Sequence, residues 1–451
     1  MVVRALLLLA VALLAPVPAA FASAGWLPHP SDATWEYTWT DSVYNTTPTK
    51  EKVTVKSTNG ASFTLAWTTD KQGNPAGAPT SIGTVDFQES NFGLINTNWA
   101  SNQPPPGFPI LCAALASCGN SLASTYYNLI WGTRAPTLFE PLLKGTSWTA
   151  TGAAKNDVSS TNEYLGTEMV TVPAFPQPVL AAKVRSKITQ AGALGDPYGS
   201  GTRTVWWVYG VGPVKIEFDH AGGSDAPVTL SVLDSTNQTP QPPPPDVDYF
   251  PFRKGLHARY VWTNPKYFKK PEVEKMSIDQ VSNDSAQISV DSISGPIKVK
   301  GAYGFTKRLD GVTNLWGVTK AASLAILPPL GPKASPVSKR RHFFTPFDLM
   351  TFGFNPLIPA YPAPGDAWDG GKNKNDFATY GVFGHTTILG IRKVKVPAGT
   401  FEALEVRTVM KQPGFPFGSG TRTSWFAPGR GLVKLVFHHG DGSVSTVVLS
   451  R

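Results

Sequence analysis

The 451-residue chain contains one long pattern twice. At an offset of 219, Gly199-Ser-Gly-Thr-Arg-Thr-Val-Trp-Trp-Val-Tyr-Gly-Val-Gly-Pro-Val-Lys-Ile-Glu-Phe218 lies over Gly418-Ser-Gly-Thr-Arg-Thr-Ser-Trp-Phe-Ala-Pro-Gly-Arg-Gly-Leu-Val-Lys-Leu-Val-Phe437, and twelve of the twenty positions are identical. Composition alone gives on the order of one match in such a window. Further matches keep the same order with drifting offsets: Val170-Thr-Val-Pro-Ala174 with Val394-Lys-Val-Pro-Ala398, Gly145-Thr-Ser-Trp148 with Gly365-Asp-Ala-Trp368, and Tyr37-Thr-Trp-Thr40 with Tyr260-Val-Trp-Thr263. Collinear matches across both halves specify duplicated domains and exclude a short stacking unit. Between the copies, the proline-rich run from Ser235 to Asp246 favours an extended polyproline conformation. The expected layout is a signal peptide at 1–24, a first domain at 25–235, a semi-rigid linker at 236–248 and a second domain at 249–451.

Each copy reads as antiparallel β with little helix. Glu51–Lys56 and Ser62–Trp67 alternate with period two around Thr58-Asn-Gly60, and Lys275–Val281 and Ala286–Ile293 do the same around Ser282–Ser285. Gly210-Val-Gly212 and Gly429-Arg-Gly431 supply the turn of a closing hairpin, after which Val433, Leu435 and Phe437 share one face and Lys434, Val436 and His438 the other. The last strands pair across Gly222–Asp225 and Gly440–Gly442. A short helix is expected around Cys112 to Asn128. Two apolar, proline-rich insertions, 103–143 and 324–365, precede Trp148 and Trp368 and suit covering a sheet face or lining a pocket.

The first 24 residues pair Arg4 with an apolar run and an Ala22-Ser-Ala24 cleavage pattern, which predicts export with Gly25 as the first mature residue. Cys112 and Cys118, the only cysteines, are expected to form a local disulfide in an oxidising compartment. Net charge is +9, but residues 1–245 hold 13 Lys+Arg against 16 Asp+Glu, while 246–451 hold 27 against 15. Clusters such as Lys266/Lys269/Lys270 and Lys339-Arg340-Arg341 suit an anionic envelope polymer or phospholipid headgroups, with peripheral membrane contact, and equally a solvated basic face. Export and the lack of any nucleic-acid motif argue against nucleic acid as a partner.

Pro141-Leu-Leu-Lys-Gly-Thr-Ser-Trp148, Val394-Lys-Val-Pro-Ala-Gly-Thr-Phe401 and Trp425-Phe-Ala-Pro-Gly-Arg-Gly-Leu-Val-Lys434 resemble, in order, the signature strings of exported bacterial TapB-like domains of unknown function, akin to LolA/LolB-type half-barrels. The first copy departs from them at Pro173-Ala-Phe-Pro and Val208-Tyr-Gly-Val-Gly. The resemblance implies that each domain is a curved antiparallel sheet, half-barrel-like, with a concave apolar face. It carries no catalytic residue, and acyl-chain binding by relatives is an analogy from fold.

No hydrolase elbow, zinc helix, Walker loop or dinucleotide fingerprint sits on a suitable turn, and no cofactor is implied. Gly-Ser-Gly-Thr-Arg-Thr leads into a strand and reads as a turn, not a phosphate cradle. Arg203, Lys215, Arg422 and Lys434 recur in both copies and are the candidate ligand contacts, although a solvated face or a partner for Glu217 is the preferred reading. His220 and His439 adjoin turns; His438 and His439 point to opposite faces, which argues against a metal site. Asp219 with His220 has no counterpart carboxylate beside His438, which weakens acid–base catalysis. Trp35, Trp39, Trp148, Trp206, Trp262, Trp368 and Trp425 read as core.

The function this implies is non-enzymatic binding of a hydrophobic or amphipathic ligand or an envelope component. The alternatives are a surface-docking module using the basic second domain and, lower in rank, a carbohydrate-active hydrolase. A deep apolar concavity favours an internal acyl-chain site; a filled sheet interior removes it.

Overall fold

The computed structural model describes residues 23–42, 45–69, 82–101, 125–151, 158–190, 199–221, 228–267, 270–294, 297–321, 345–371, 382–414 and 416–451. Cys112, Cys118, the lysine at 269 and the 339–341 basic run lie outside them, as does nearly all of the expected signal peptide.

Two antiparallel sheets account for most of the described residues. The first contains β1 (Thr34–Asp41), β2 (Asn45–Asn59), β3 (Ser62–Thr69), β4 (Ile82–Ser90), β5 (Gly93–Ser101), β6 (Leu138–Phe139), β7 (Ser147–Thr151), β8 (Val158–Val170), β9 (Val179–Gln190), β10 (Gly201–Val208), β11 (Gly212–His220) and β12 (Val228–Thr236). The second contains β13 (His257–Thr263), β14 (Glu272–Val281), β15 (Ser285–Ser294), β16 (Ile297–Arg308), β17 (Gly311–Ala321), β18 (Ala367–Gly370), β19 (Phe383–Val396), β20 (Gly399–Lys411), β21 (Gly420–Ala427), β22 (Gly431–His439) and β23 (Val444–Leu449). Three short helices are described: α1 (Ser23–Trp26), α2 (Thr125–Ile130) and α3 (Pro346–Thr351). The expected helix around 112–128 thus falls mostly outside the described residues, and α2 begins near its end.

Both sheets have the same plan. Strand order is β6-β5-β4-β3-β2-β1-β12-β11-β10-β9-β8-β7 in the first and β17-β16-β15-β14-β13-β23-β22-β21-β20-β19-β18 in the second. Each is two meanders joined where the first strand of the repeat pairs with the last. Hairpins form where glycine permits, as at Gly60 (φ 59°) and Gly210 (φ 83°).

The two edges of the first sheet, β6 and β7, are consecutive in sequence, so a short connection draws them together. Arg134 spans the gap: its carbonyl accepts from Asn96 N on the β5 side at 3.0 Å, and its N–H donates to Thr151 O of β7 at 2.9 Å. The result is a nearly closed, barrel-like sheet. The second sheet is curved, and Ile358 forms a bridge to Val312 in place of a sixth edge strand.

Alternation puts Trp35, Tyr37, Trp67, Val85 and Phe87 inside the first domain and Tyr260, Trp262, Ile288, Tyr303 and Phe305 inside the second, all under 2% exposed. The interiors are therefore aromatic, and they are not empty.

Candidate functional site

A short helix from the apolar insertion enters each interior. Tyr126, Leu129 and Ile130 of α2, and Phe347, Leu349 and Met350 of α3, are buried. Tyr126 meets Tyr37 edge-on at 6.1 Å between centroids, and Phe347 meets Tyr260 at 6.3 Å in the same manner. A helix this short leaves most of its backbone groups unpaired, and in a closed interior they need partners other than water.

Side chains from the sheets supply those partners. Glu51 Oε2 accepts from Thr125 N at 2.6 Å, and Glu274 is bonded to the backbone of Phe347. At the other end of α2, Arg203 Nη1 donates to the carbonyls of Asn128 and Trp131 at 2.5 and 2.7 Å, and Nη2 reaches Thr133 and Ser186. Arg422 Nη1 donates to Leu349 O and Met350 O, each at 2.9 Å, and to Phe352 O. A carboxyl thus stands at the positive end of each helix dipole and a guanidinium at the negative end. Burial lowers Arg203 to about 9 and Arg422 to about 10, so both stay charged at neutral pH.

These contacts explain the Gly-Ser-Gly-Thr-Arg-Thr repeat. Ser200 and Ser419 accept from Gln190 N and Gln412 N at 2.9 Å. Gly201 (φ 147°) and Gly420 (φ 132°) lie so close to the neighbouring strand that a β-carbon would sit 2.1 Å from Asp219 O and 2.0 Å from His438 O. The arginine that follows points inward from the sheet to its helix.

The four sequence candidates therefore separate onto two faces. Arg203 and Arg422 are buried (1% and 6% exposed) on backbone carbonyls rather than on a solvated face. Lys215 and Lys434 lie outside, their ammonium groups 4.5 Å from the Trp206 ring and 5.1 Å from the Trp425 ring, and Lys215 also pairs with Glu217 at 3.0 Å. His220 is buried on Thr229 at 2.7 Å, while Asp219 is exposed on the opposite face, so the two make no acid–base pair. His439 stacks on Phe417 between Phe417 O (2.6 Å) and Ser445 Oγ (2.8 Å), and burial lowers it to about 4. Lys266 bonds the Asp441 carbonyl at 2.6 Å. Trp35, Trp39, Trp148, Trp206 and Trp262 are buried, whereas Trp368 and Trp425 are half-buried.

Glu51 and Glu274 escaped the sequence reading. Their signal was the Tyr37/Tyr260 match, whose offset of 223 also superposes these two carboxylates. Among the described residues, no three His, Cys, Asp or Glu are spaced to hold a metal ion. Two small cavities, one at the domain junction beside Asp248, Lys307 and Ile358 and one in the second domain beside Tyr260, Ile288 and Phe347, have volumes of about 10 and 20 Å³, room for about one water each.

No family model and no curated protein matches the chain. Two solved structures are similar to part of it. One is a presumed exported protein with a YmcC-like fold from Bacteroides fragilis, 14% identical, covering 46% of this chain and 98% of its own at a TM-score of 0.21. The other is a presumed lipoprotein from Parabacteroides distasonis, also 14% identical, covering 47% and 98% at a TM-score of 0.25. Neither likeness is close enough to carry a fold or a function over, and the TapB-like resemblance finds no matching family model.

Proposed function

We propose that this is an exported, non-catalytic module that docks through its outer surface to an anionic component of the cell envelope. One observation supports it above others: among the described residues each interior is occupied by the chain's own helix and aromatic side chains, and the cavity beside α3 holds only about 20 Å³. Among the described residues this filling leaves little support for an internal acyl-chain site, so the reading moves from an internal ligand to the outside. Residues 246–451 carry the sequence's charge surplus, and Lys393, Lys395 and Arg407 stand exposed on β19 and β20. The N-terminal cleavage pattern supports an envelope location.

The test is retention of the mature chain on phosphatidylcholine vesicles with and without phosphatidylglycerol, and on a heparin column, across a salt gradient. Retention that needs the anion, falls with salt and is lost in a Lys393→Glu/Lys395→Glu/Arg407→Glu variant is expected. Absence of salt-sensitive retention on either matrix overturns the reading.

A further inference from the structure

The N-terminal end of α3 is crowded with acids in a way that α2 is not. Glu272 and Glu274 are two residues apart on β14, both inward and 0% exposed. Ser292 Oγ donates to Glu274 Oε2 at 2.7 Å. Asp348, in the first turn of α3, accepts from Tyr303 Oη at 2.8 Å and from Thr345 N at 2.9 Å. Tyr260 faces Glu274 from β13. Arg422 is at the opposite end of the helix, on the carbonyls of Leu349 and Met350.

Register identifies the equivalents. Glu274 pairs with Tyr260 as Glu51 pairs with Tyr37, and Glu272 pairs with Trp262 as Thr49 pairs with Trp39. The first domain therefore has a threonine where the second has Glu272, and α2 has no acid in its first turn. Among the described residues Glu51 caps α2, whereas Glu274 caps α3 with Glu272 beside it and Asp348 within the helix.

We propose that α3 is a proton-controlled plug: protonated Glu272 and Glu274 keep it seated in the second domain, and their ionisation releases it while α2 stays in place. Two neighbouring carboxylates buried beneath the curved sheet are stripped of water and repel each other and Asp348. Water reaches them most directly if the helix at their side moves out. Burial, aided by the charge of Glu274, pushes Glu272 up to about 9, and burial, aided by the charge of Asp348, pushes Glu274 up to about 8, from an ordinary value of 4.5. Groups raised in this direction contribute their full stabilisation below about pH 4.5 and lose it as pH rises through about 8 to about 9.

The test is amide hydrogen exchange of the full mature chain from about pH 7 to about pH 9.5, corrected for the intrinsic pH dependence, comparing peptides over α3 with peptides over α2. Protection of α3 is expected to fall by more than about tenfold, the factor that one proton gives per pH unit between the released and the seated pKa, with α2 unchanged. Glu272→Thr, which installs the first domain's residue, and Glu272→Gln leave Glu274 to ionise alone and are expected to lose clearly less α3 protection than the wild type over the same range. Equal loss at both helices, no loss at α3, or loss in the folded Glu272→Gln chain like that of the wild type each overturns the proposal. The comparison of α3 with α2 inside the wild-type chain needs no variant.

Discussion

A buried guanidinium is usually paired with a carboxylate, yet Arg203 and Arg422 are bonded to helix-end carbonyls and hydroxyls. Carbonyls at a helix C-terminus carry partial negative charge, and each Arg reaches several at once because its donors form a planar fork. Removing the fork leaves those carbonyls buried without partners, at roughly 1–3 kcal/mol apiece. Arg203→Met is therefore expected to destabilise the chain by about 3 kcal/mol or more, and Arg422→Met similarly, read as a lower urea midpoint. Arg203→Lys is expected to recover only part of the loss, since one ammonium cannot span Asn128 O, Trp131 O, Thr133 and Ser186 together. A denaturation midpoint unchanged in Arg203→Met contradicts the capping role.

At the level of strands, alternation together with turn residues located the hairpins at Gly60, at Ser282–Ser285 and at Gly429–Gly431, because a half-buried antiparallel strand prints its two faces on the sequence. What alternation hides is which strands meet across the repeat, and which polar residues turn inward to serve a helix from a distant insertion. Arg203 reads as one more cation on a strand until α2 is placed beneath it. The bulges were equally hidden. In β5 the register slips beside Asn96, and in β17 beside Asn314. Asn96 Nδ2 donates to Asp86 O and Asn98 O at 2.9 and 2.8 Å, and Asn314 Nδ2 donates to Gly304 O and Trp316 O at 3.1 Å. The side-chain amide supplies donors that a slipped ladder cannot. Gly93-Leu-Ile-Asn96 and Gly311-Val-Thr-Asn314 share an offset of 218, the one trace of this in the sequence. Asn314→Ala is expected to cost about 1–3 kcal/mol by urea denaturation. Asn314→Asp, which turns a carboxylate toward two carbonyls, is expected to cost more than the alanine at neutral pH and to approach it as the acid protonates. Equal costs at neutral pH contradict the donor role.

The proline-rich segment joins the two domains through specific bonds at the scale of the whole chain. Gln241 N donates to Tyr209 O at 2.8 Å, and Asp246 O accepts from Lys144 N at 2.9 Å on the first-domain side. Two residues later, Asp248 O accepts from Gly429 N at 2.8 Å, and its carboxylate holds Lys307 Nζ at 2.9 and 2.8 Å on the other. Direct contacts reinforce this: Leu309 N donates to Asn91 O at 2.7 Å, Tyr361 Oη accepts from Leu142 N at 3.0 Å, and Asn283 exchanges bonds with the backbone of Thr149. Lys307 is 8% exposed, and burial lowers it from its ordinary value, so its charge depends on Asp248. Lys307→Met strands that carboxylate at the junction, where loss of one buried partner costs about 3–5 kcal/mol. Asp248→Asn keeps an acceptor for the lysine but removes the charge that offsets Lys307 burial. Because Asp248 also ties the segment to β21–β22 through Gly429, loosening it disconnects the second domain from the first as well as weakening it. Calorimetry of Lys307→Met is therefore expected to show the second domain unfolding in an earlier, separate transition, with the first-domain transition little moved. A Lys307→Met chain whose transitions coincide with those of the wild type shows that the domains are held together by the direct contacts alone.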